Sequence, residues 1–239
     1  MRWGGFAESA SVAEEALATK PSNLTFEQAA AVPVVGVAAL QGLRDTGKVQ
    51  PGQRVLINGA SGGVGSFAVQ IAKAFGANVT GVCSTTNVDL VLSIGADHVI
   101  DYTKDDFTTL GLQYDLIFDN VGNRSLSDYR RALTSQGTFI PNSNKGGGRW
   151  IGGYLGRALR ALVVSPFVSQ SLRPFSSSGG SEDLVVLTEL IESGTVAPVI
   201  DRTYPLDQTA DALGYYGEGH TRGKVVITVE QNEIQDRGD

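Results

Sequence analysis

Four glycines crowd seven positions of the stretch INGASGGVGSFAVQIAKAFG (57–76): Gly59, Gly62, Gly63 and Gly65. An apolar run at 54–59 reads as a strand before them. Val64, Phe67, Ala68, Ile71, Ala72 and Phe75 form a helical stripe after them. A helix N-terminus carries unpaired N–H groups and partial positive charge. Glycine at Gly62, Gly63 and Gly65 would let a pyrophosphate reach those groups, because any Cβ would stand in its way. The alternative is a turn crowded for packing alone. The spacing is G-x-x-G-G-V-G rather than G-x-G-x-x-G, and a bare glycine motif is weak. Its place after a strand, before a helix and within a unit of about thirty residues points to a dinucleotide.

The end of the next strand selects among dinucleotides. An acid there would grip the ribose hydroxyls of NAD. This chain has Cys83, Ser84, Thr85 and Thr86 instead. Small hydroxyl side chains do not repel a 2′-phosphate and can donate to it, which favours NADP(H). Lys104 is a candidate cationic partner, with a solvated surface lysine as the alternative. Tyr102, at the tip of the third strand, either flanks the adenosine end or is an ordinary strand-end aromatic. Other chemistry is scarce. No tyrosine has lysine four residues on, and no G-K-[ST] motif occurs. Asp115 and Asp119 flank the fourth strand and read as surface or cap residues. His220 lies in a glycine-rich loop, either exposed or facing a ligand. Cys83 is the single cysteine, with His98 and His220 the two histidines. That excludes an internal disulfide and a cysteine zinc site, and is poor material for a mixed metal site.

These groups need a scaffold. Strands are expected at 54–59, 78–84, 98–102, 114–122 and 137–142, with helices after the glycines and at 87–95 and 125–134. Strands alternating with short helices imply parallel βαβ units wound on both faces of one sheet. A helix is expected at 181–194, with Ser181 as N-cap and Gly194 past its end. A last strand follows at 223–229, then a frayed tail. The stretch 149–175 mixes basic and apolar residues. It reads as a helix and edge strand on the sheet, since glycines break the stripe a membrane-surface helix would need. Loops are expected at 144–149 and 176–180.

The 239 residues are 41% hydrophobic and 18% charged, enough for one sizeable core. A net charge of -6 disfavours nucleic acid and anionic membranes as partners. No run of 18 apolar residues and no signal-peptide pattern is present, so a soluble, cytoplasmic protein is expected.

The segments AAAVPVVGVAALQGL, VLINGASGGVGSFAVQIAKAFGANVTGVCST, GADHVIDY, YDLIFDNVG and APVIDRTYPL with GHTRGKVVITV carry a resemblance. Together, from about Gly5 to Val229, the chain resembles the zinc-free, quinone-oxidoreductase-like branch of the medium-chain dehydrogenase/reductase superfamily. The resemblance implies a doubly wound parallel Rossmann sheet at 25–195. Remnants of a GroES-like catalytic domain would flank it at 1–24 and 196–239, as in a member truncated at its N-terminus. Residue by residue, it implies that Ser61, Gly62, Gly63 and Val64 hold the pyrophosphate. Ser84, Thr85 and Tyr102 would take the adenosine phosphate end, Val121 and Asn123 would line the cleft, and Asn142 and Ser143 would approach the nicotinamide. Similar sequences commonly carry threonine at the position of Ala38, so one hydroxyl donor is lost there. The implied reaction is metal-free hydride transfer from NADPH to a small-molecule quinone or enone, the proton coming from solvent or a tyrosine. No catalytic acid is assigned. VSQSLRPF resembles the edge strand through which such proteins form homodimers. The alternative is a catalytically weak NADP(H)-binding interaction or sensor module.

Overall fold

The computed structural model describes residues 5–143 and 169–229. Helices α1 (Phe26–Ala30) and α2 (Pro33–Gln41) and a π-helical turn (Gly42–Gly47) precede the sheet. Then come β1 (Arg54–Asn58), α3 (Gly63–Ala74), β2 (Asn78–Cys83), α4 (Val88–Ser93), β3 (His98–Asp101), β4 (Tyr114–Asp119), α5 (Leu126–Ala132) and β5 (Leu133–Pro141). Further on lie β6 (Ser171–Leu172), α6 (Ser181–Glu192), β7 (Ile200–Pro205), α7 (Thr209–Gly217) and β8 (Lys224–Thr228).

Six strands form one sheet in the order β3-β2-β1-β4-β5-β6, every pairing parallel. That is the doubly wound order, whose direction reverses between β1 and β4. The strands must be apolar on both faces because helices cover both. Alternate residues of β1 show it. Val55 and Ile57 join a core with α2, α3 and α6, while Leu56 joins a second core beneath α5. In that second core the rings of Tyr129 and Phe139 stack with centroids 4.3 Å apart.

The expected strands and helices form, with shifted ends. β4 stops at Asp119 rather than 122, because Gly122 takes φ +72 and turns the chain. α5 runs directly into β5, which starts at Leu133 rather than 137, and a bulge then resets the register with β4. α4 starts at Val88 after a short 3₁₀ turn, Thr85–Asn87. Gly180, not Ser181, is the N-cap of α6, and no side chain caps it. Of the 149–175 stretch, the described part holds β6, at the sheet edge. The expectations for 144–168 and for the tail after Val229 lie outside the described residues. The C-terminal segment is more ordered than expected: β7, α7 and β8 make a parallel βαβ unit of their own.

Candidate functional site

The glycine loop sits at the C-terminal end of β1, and its glycines have different reasons to be there. Gly59 has φ +78 and makes the turn. A Cβ on Gly65 would lie 2.0 Å from Gly59 O, so packing of α3 on the loop demands glycine. A Cβ on Gly63 would meet the Lys224 stem at 3.0 Å and Val35 at 3.2 Å. Gly62 is the exception. Its backbone, φ -80 and ψ 178, suits any residue. Among the described residues its Cβ would touch Gly59 O alone, at 3.5 Å. Neither strain nor packing explains glycine at this position. It opens a cradle at the N-terminus of α3, which has no side-chain cap. The Ser66 amide is the first of α3 to reach back, to Gly62 O, while the Gly62 amide donates to Gly59 O at 3.1 Å.

The floor between β1 and β4 is organised by Asp119, which is 1% exposed. Its Oδ1 accepts from Asn58 Nδ2 at 2.8 Å and from the Val121 and Gly122 amides at 3.1 Å each. Its Oδ2 accepts from the Tyr129 hydroxyl at 2.7 Å. Burial and the adjacent Asp119 carboxylate push the Tyr129 phenol far above its usual range, so it stays a donor. The buried anion thus has donors on both oxygens, and it fixes the turn that carries Val121 and Asn123. Asn123 Oδ1 also accepts from Asn58 Nδ2 at 3.3 Å. The Asn142 amide donates to Asp119 O at 2.8 Å, its side chain donates to Asn120 Oδ1 at 2.8 Å, and the Ser143 hydroxyl donates to Val121 O at 2.9 Å. Val121, Asn123, Asn142 and Ser143 therefore meet at the switch point. Of the two expectations for Asp119, surface or cap, the second holds: it is buried and caps the turn through the Val121 and Gly122 amides. Asp115 does lie at the strand's other end, accepting from the Arg54 amide.

Toward β2 the loop continues into the expected adenosine end. Asn87 Nδ2 donates to Ser61 Oγ at 3.1 Å and to Ser84 Oγ at 3.2 Å, tying the two together. Thr85 departs from expectation, because its hydroxyl donates to Asp101 at 2.6 Å. Tyr102 is half exposed at the tip of β3, its amide bonded to Cys83 O. From the opposite side the C-terminal unit closes on the loop. The Gly223 amide donates to Ser61 O at 2.8 Å, and Gly62 and Gly223 form a parallel bridge. Lys224 is half-buried beside Gly63. Burial alone lowers its pKa, and its ammonium has no carboxylate partner among the described residues. His220 is exposed on the preceding loop. Ala38 is packed into the α2 core.

Residues 94–227, more than half of the chain, match the family described as zinc-binding dehydrogenase. The chloroplast envelope quinone oxidoreductase homolog of Arabidopsis thaliana is 31% identical across 94% of this chain and 68% of its own length. The chain belongs to the medium-chain dehydrogenase/reductase superfamily. The 2-methylene-furan-3-one reductase of Solanum lycopersicum is 36% identical over 230 residues, 95% of this chain but 53% of the relative. The chain thus spans about half to two thirds of the length of these curated relatives. Among solved structures, an NAD-dependent alcohol dehydrogenase superposes with a TM-score of 0.79 at 29% identity, covering 96% of this chain and 66% of that one. The quinone oxidoreductase of Coxiella burnetii gives 0.74 at 27% identity, covering 89% and 64%.

The family description names zinc, and the described donors of this chain do not fit it. Zinc takes thiolate and imidazole ligands. Cys83 is buried in β2, and burial pushes its thiol up to about 11. His98 opens β3, two strands away from β1 and level with Leu56, and His220 is exposed on the loop before β8. Among the described residues no group of three or more histidine, cysteine or acidic side chains is placed to hold a metal ion. No described helix is long and apolar enough to cross a membrane. Sequence reasoning missed Asn87, Asp101, Asp119 and Lys224 as site residues. The acid at the end of β3 was a signal it passed over while looking at β2.

Proposed function

We propose that the chain binds NADP(H) across the mouth of β1 and β4, and that the whole protein transfers hydride to a quinone or enone without zinc. The open cradle at Gly62, before an uncapped helix, carries this reading. A phosphate fits where a Cβ has been left out without any internal need. Lys224 supports it, since a cation half-buried against a helix N-terminus, with no carboxylate partner among the described residues, leaves positive potential that an anion would neutralise. The names of relatives agree: an NADPH-dependent alkenal/one oxidoreductase of Arabidopsis thaliana is 36% identical to this chain.

Bound NADPH supplies the hydride. The chain's own residues bind, orient and shield. Ser61, Gly62, Gly63 and Val64 hold the pyrophosphate. Ser84 and Tyr102 flank the adenosine phosphate, with Thr85 beside them, its proton committed to Asp101. Val121 and Asn123, fixed by Asp119, line the cleft, and Asn142 and Ser143 border the nicotinamide. No described side chain is assigned as the proton donor. Calorimetric titration should show NADPH binding more tightly than NADH. Gly63→Asp should abolish both by placing an anion where the pyrophosphate belongs. Equal affinities, or a preference for NADH, would overturn the cofactor assignment.

Holding a substrate against the nicotinamide is worth up to about 7–11 kcal/mol. This chain spans about half of its relatives, so NADPH oxidation with a small quinone should be slow and should rise sharply in a form extended to their length. Inactivity of both forms would favour the alternative, an NADP(H)-binding interaction module. The short β6, last in the sheet among the described residues, and the exposed Phe26 and Val34 (76% and 70%) support self-association as a homodimer. Sedimentation as a monomer at micromolar concentration would contradict that.

A further inference from the structure

Asp101 ends β3 beside Ser84, Thr85 and Tyr102, and it is buried. Its Oδ1 accepts from the Thr103 amide at 3.0 Å and the Thr103 hydroxyl at 2.7 Å. Its Oδ2 accepts from the Thr85 hydroxyl at 2.6 Å and from Lys104 Nζ at 3.2 Å. These bonds, that of Thr85 first, hold the carboxyl well below the usual range. The carboxylate is therefore an anion at any neutral pH. It lies beside Thr85 and Tyr102, at the expected adenosine phosphate end, where a 2′-phosphate would be a second negative group repelled by the first. The Thr85 proton is committed to Asp101, so hydroxyl donation cannot by itself offset that repulsion. Lys104 can. Its ammonium shares one oxygen with Thr85, which sets it in the gap between the ends of β2 and β3. Its side chain is 67% exposed, and an exposed ion pair of this kind is held weakly. Thr85 and Thr103 keep the carboxylate satisfied when the lysine leaves it.

Resting on the dinucleotide reading above, we propose that Lys104 is the residue that selects NADPH over NADH, held in waiting by Asp101 and drawn onto the 2′-phosphate when it arrives. A phosphate dianion with free lone pairs outcompetes a carboxylate already bonded by two threonines. NADH brings no such anion, so Lys104 stays on Asp101 and contributes nothing to its binding. The preference is set by the lysine against the aspartate, not by the Ser84 and Thr85 hydroxyls that follow β2.

The test is calorimetric titration of the full chain with NADPH and with NADH, for the native protein, Lys104→Met, Lys104→Arg and Asp101→Asn. Lys104→Met should weaken NADPH about tenfold, the scale of one charge-assisted hydrogen bond, and leave NADH within about twofold. Lys104→Arg should keep most of the preference. Asp101→Asn, checked for folding by circular dichroism, should tighten NADPH several-fold by removing the repulsion and freeing the lysine. A loss shared equally by both nucleotides in Lys104→Met would mark a merely structural role and overturn the proposal, as would an unchanged ratio. If the native chain binds neither nucleotide, the dinucleotide reading falls and this proposal with it. If it binds both and Lys104→Met does not change their ratio, the proposal alone falls.

Discussion

The molecule contains the same motif at two degrees of completion. In the six-stranded sheet, β1 is buried at every residue after Arg54, and β2 at every residue after Asn78. In the C-terminal βαβ unit, β7 has no buried residue and β8 has one, Val226. Both are parallel ladders, and parallel ladders need cover on both faces. The large sheet makes its own cover from α2, α3, α5 and α6. The small one has α7 on one side and holds to the rest through few groups. Gln70 on α3 exchanges hydrogen bonds with the Ala197 backbone at 2.8 and 2.9 Å, and Gly223 bonds to Ser61. The seam between the complete part and the incomplete one is the glycine loop. Damage to the sheet should therefore cost the fold, whereas damage to the small ladder should cost the seam.

The largest effect is expected at Gly65. Gly65→Ala puts a methyl group 2.0 Å from Gly59 O, backbone against backbone, with no side chain able to yield. Denaturant unfolding should show loss of about 3 kcal/mol or more, or no folded protein. Gly62→Ala, three residues away, should cost within about 1 kcal/mol, because among the described residues its methyl group meets Gly59 O alone, at the ordinary contact distance of 3.5 Å. It should nevertheless weaken NADPH at least about tenfold, since the space it enters is the phosphate cradle. If the two variants unfold alike, the division of the glycines into packing and binding roles is wrong.

Next comes Gly223, at φ +69, where a Cβ would lie 2.2 Å from Val199 O. Gly223→Ala should release the C-terminal unit and leave the sheet intact. Limited proteolysis should cut after residue 196 at least about tenfold faster, while the near-ultraviolet spectrum of the sheet aromatics persists. Global unfolding of this variant would show that the small ladder is part of the same cooperative unit.

These two regions also differ in how legible they are. The apolar runs around β1, β2 and β4 and the stripe of α3 announce themselves, because strands buried on both faces have to be continuous in hydrophobicity. β7, IDRTYP, is half polar because it is half exposed, and nothing in its pattern sets it apart from a loop. The glycine loop was readable from its place between strand and helix. The roles of Asp119, Asn87 and Asp101 were not, since each depends on partners from other segments. Asp119 meets Asn58 and Tyr129, Asn87 meets Ser61, and Asp101 meets Thr85. Thr85 follows β2, and its hydroxyl donates to Asp101, an acceptor that arrives from another strand and so cannot be read from the local sequence.

A smaller effect is expected at Tyr129, on the sheet side of the seam. Tyr129→Phe removes the donor to Asp119 Oδ2 and keeps the stacking on Phe139. The buried carboxylate loses one partner of four, which should cost about 1–3 kcal/mol in denaturant unfolding. The turn carrying Val121 and Asn123 should loosen, and NADPH affinity should fall several-fold. Proteolysis of the C-terminal unit should stay as in the native chain, because Tyr129 does not touch it. Faster cleavage there would mean that the Asp119 hub supports both halves.

The smallest effect concerns Cys83, buried at the end of β2 and covered by the sheet itself. Burial pushes its thiol up to about 11, so at pH 8 the reactive thiolate is almost absent in the folded chain. A thiol reagent should label it no faster than the sheet opens, even in Gly223→Ala, where the C-terminal unit has been released. The pH dependence has a definite sign. The unfolded thiol ionises near its ordinary value of 9.0 while the folded one stays protonated. Its contribution is fully present below that value and is lost as pH rises toward the folded value. By pH 10 the native chain should have lost about 1 kcal/mol more stability, relative to pH 8, than Cys83→Ala. Rapid labelling in Gly223→Ala would mean that the small ladder shields the end of β2. The six-stranded sheet would then not be the self-covered partner in the comparison.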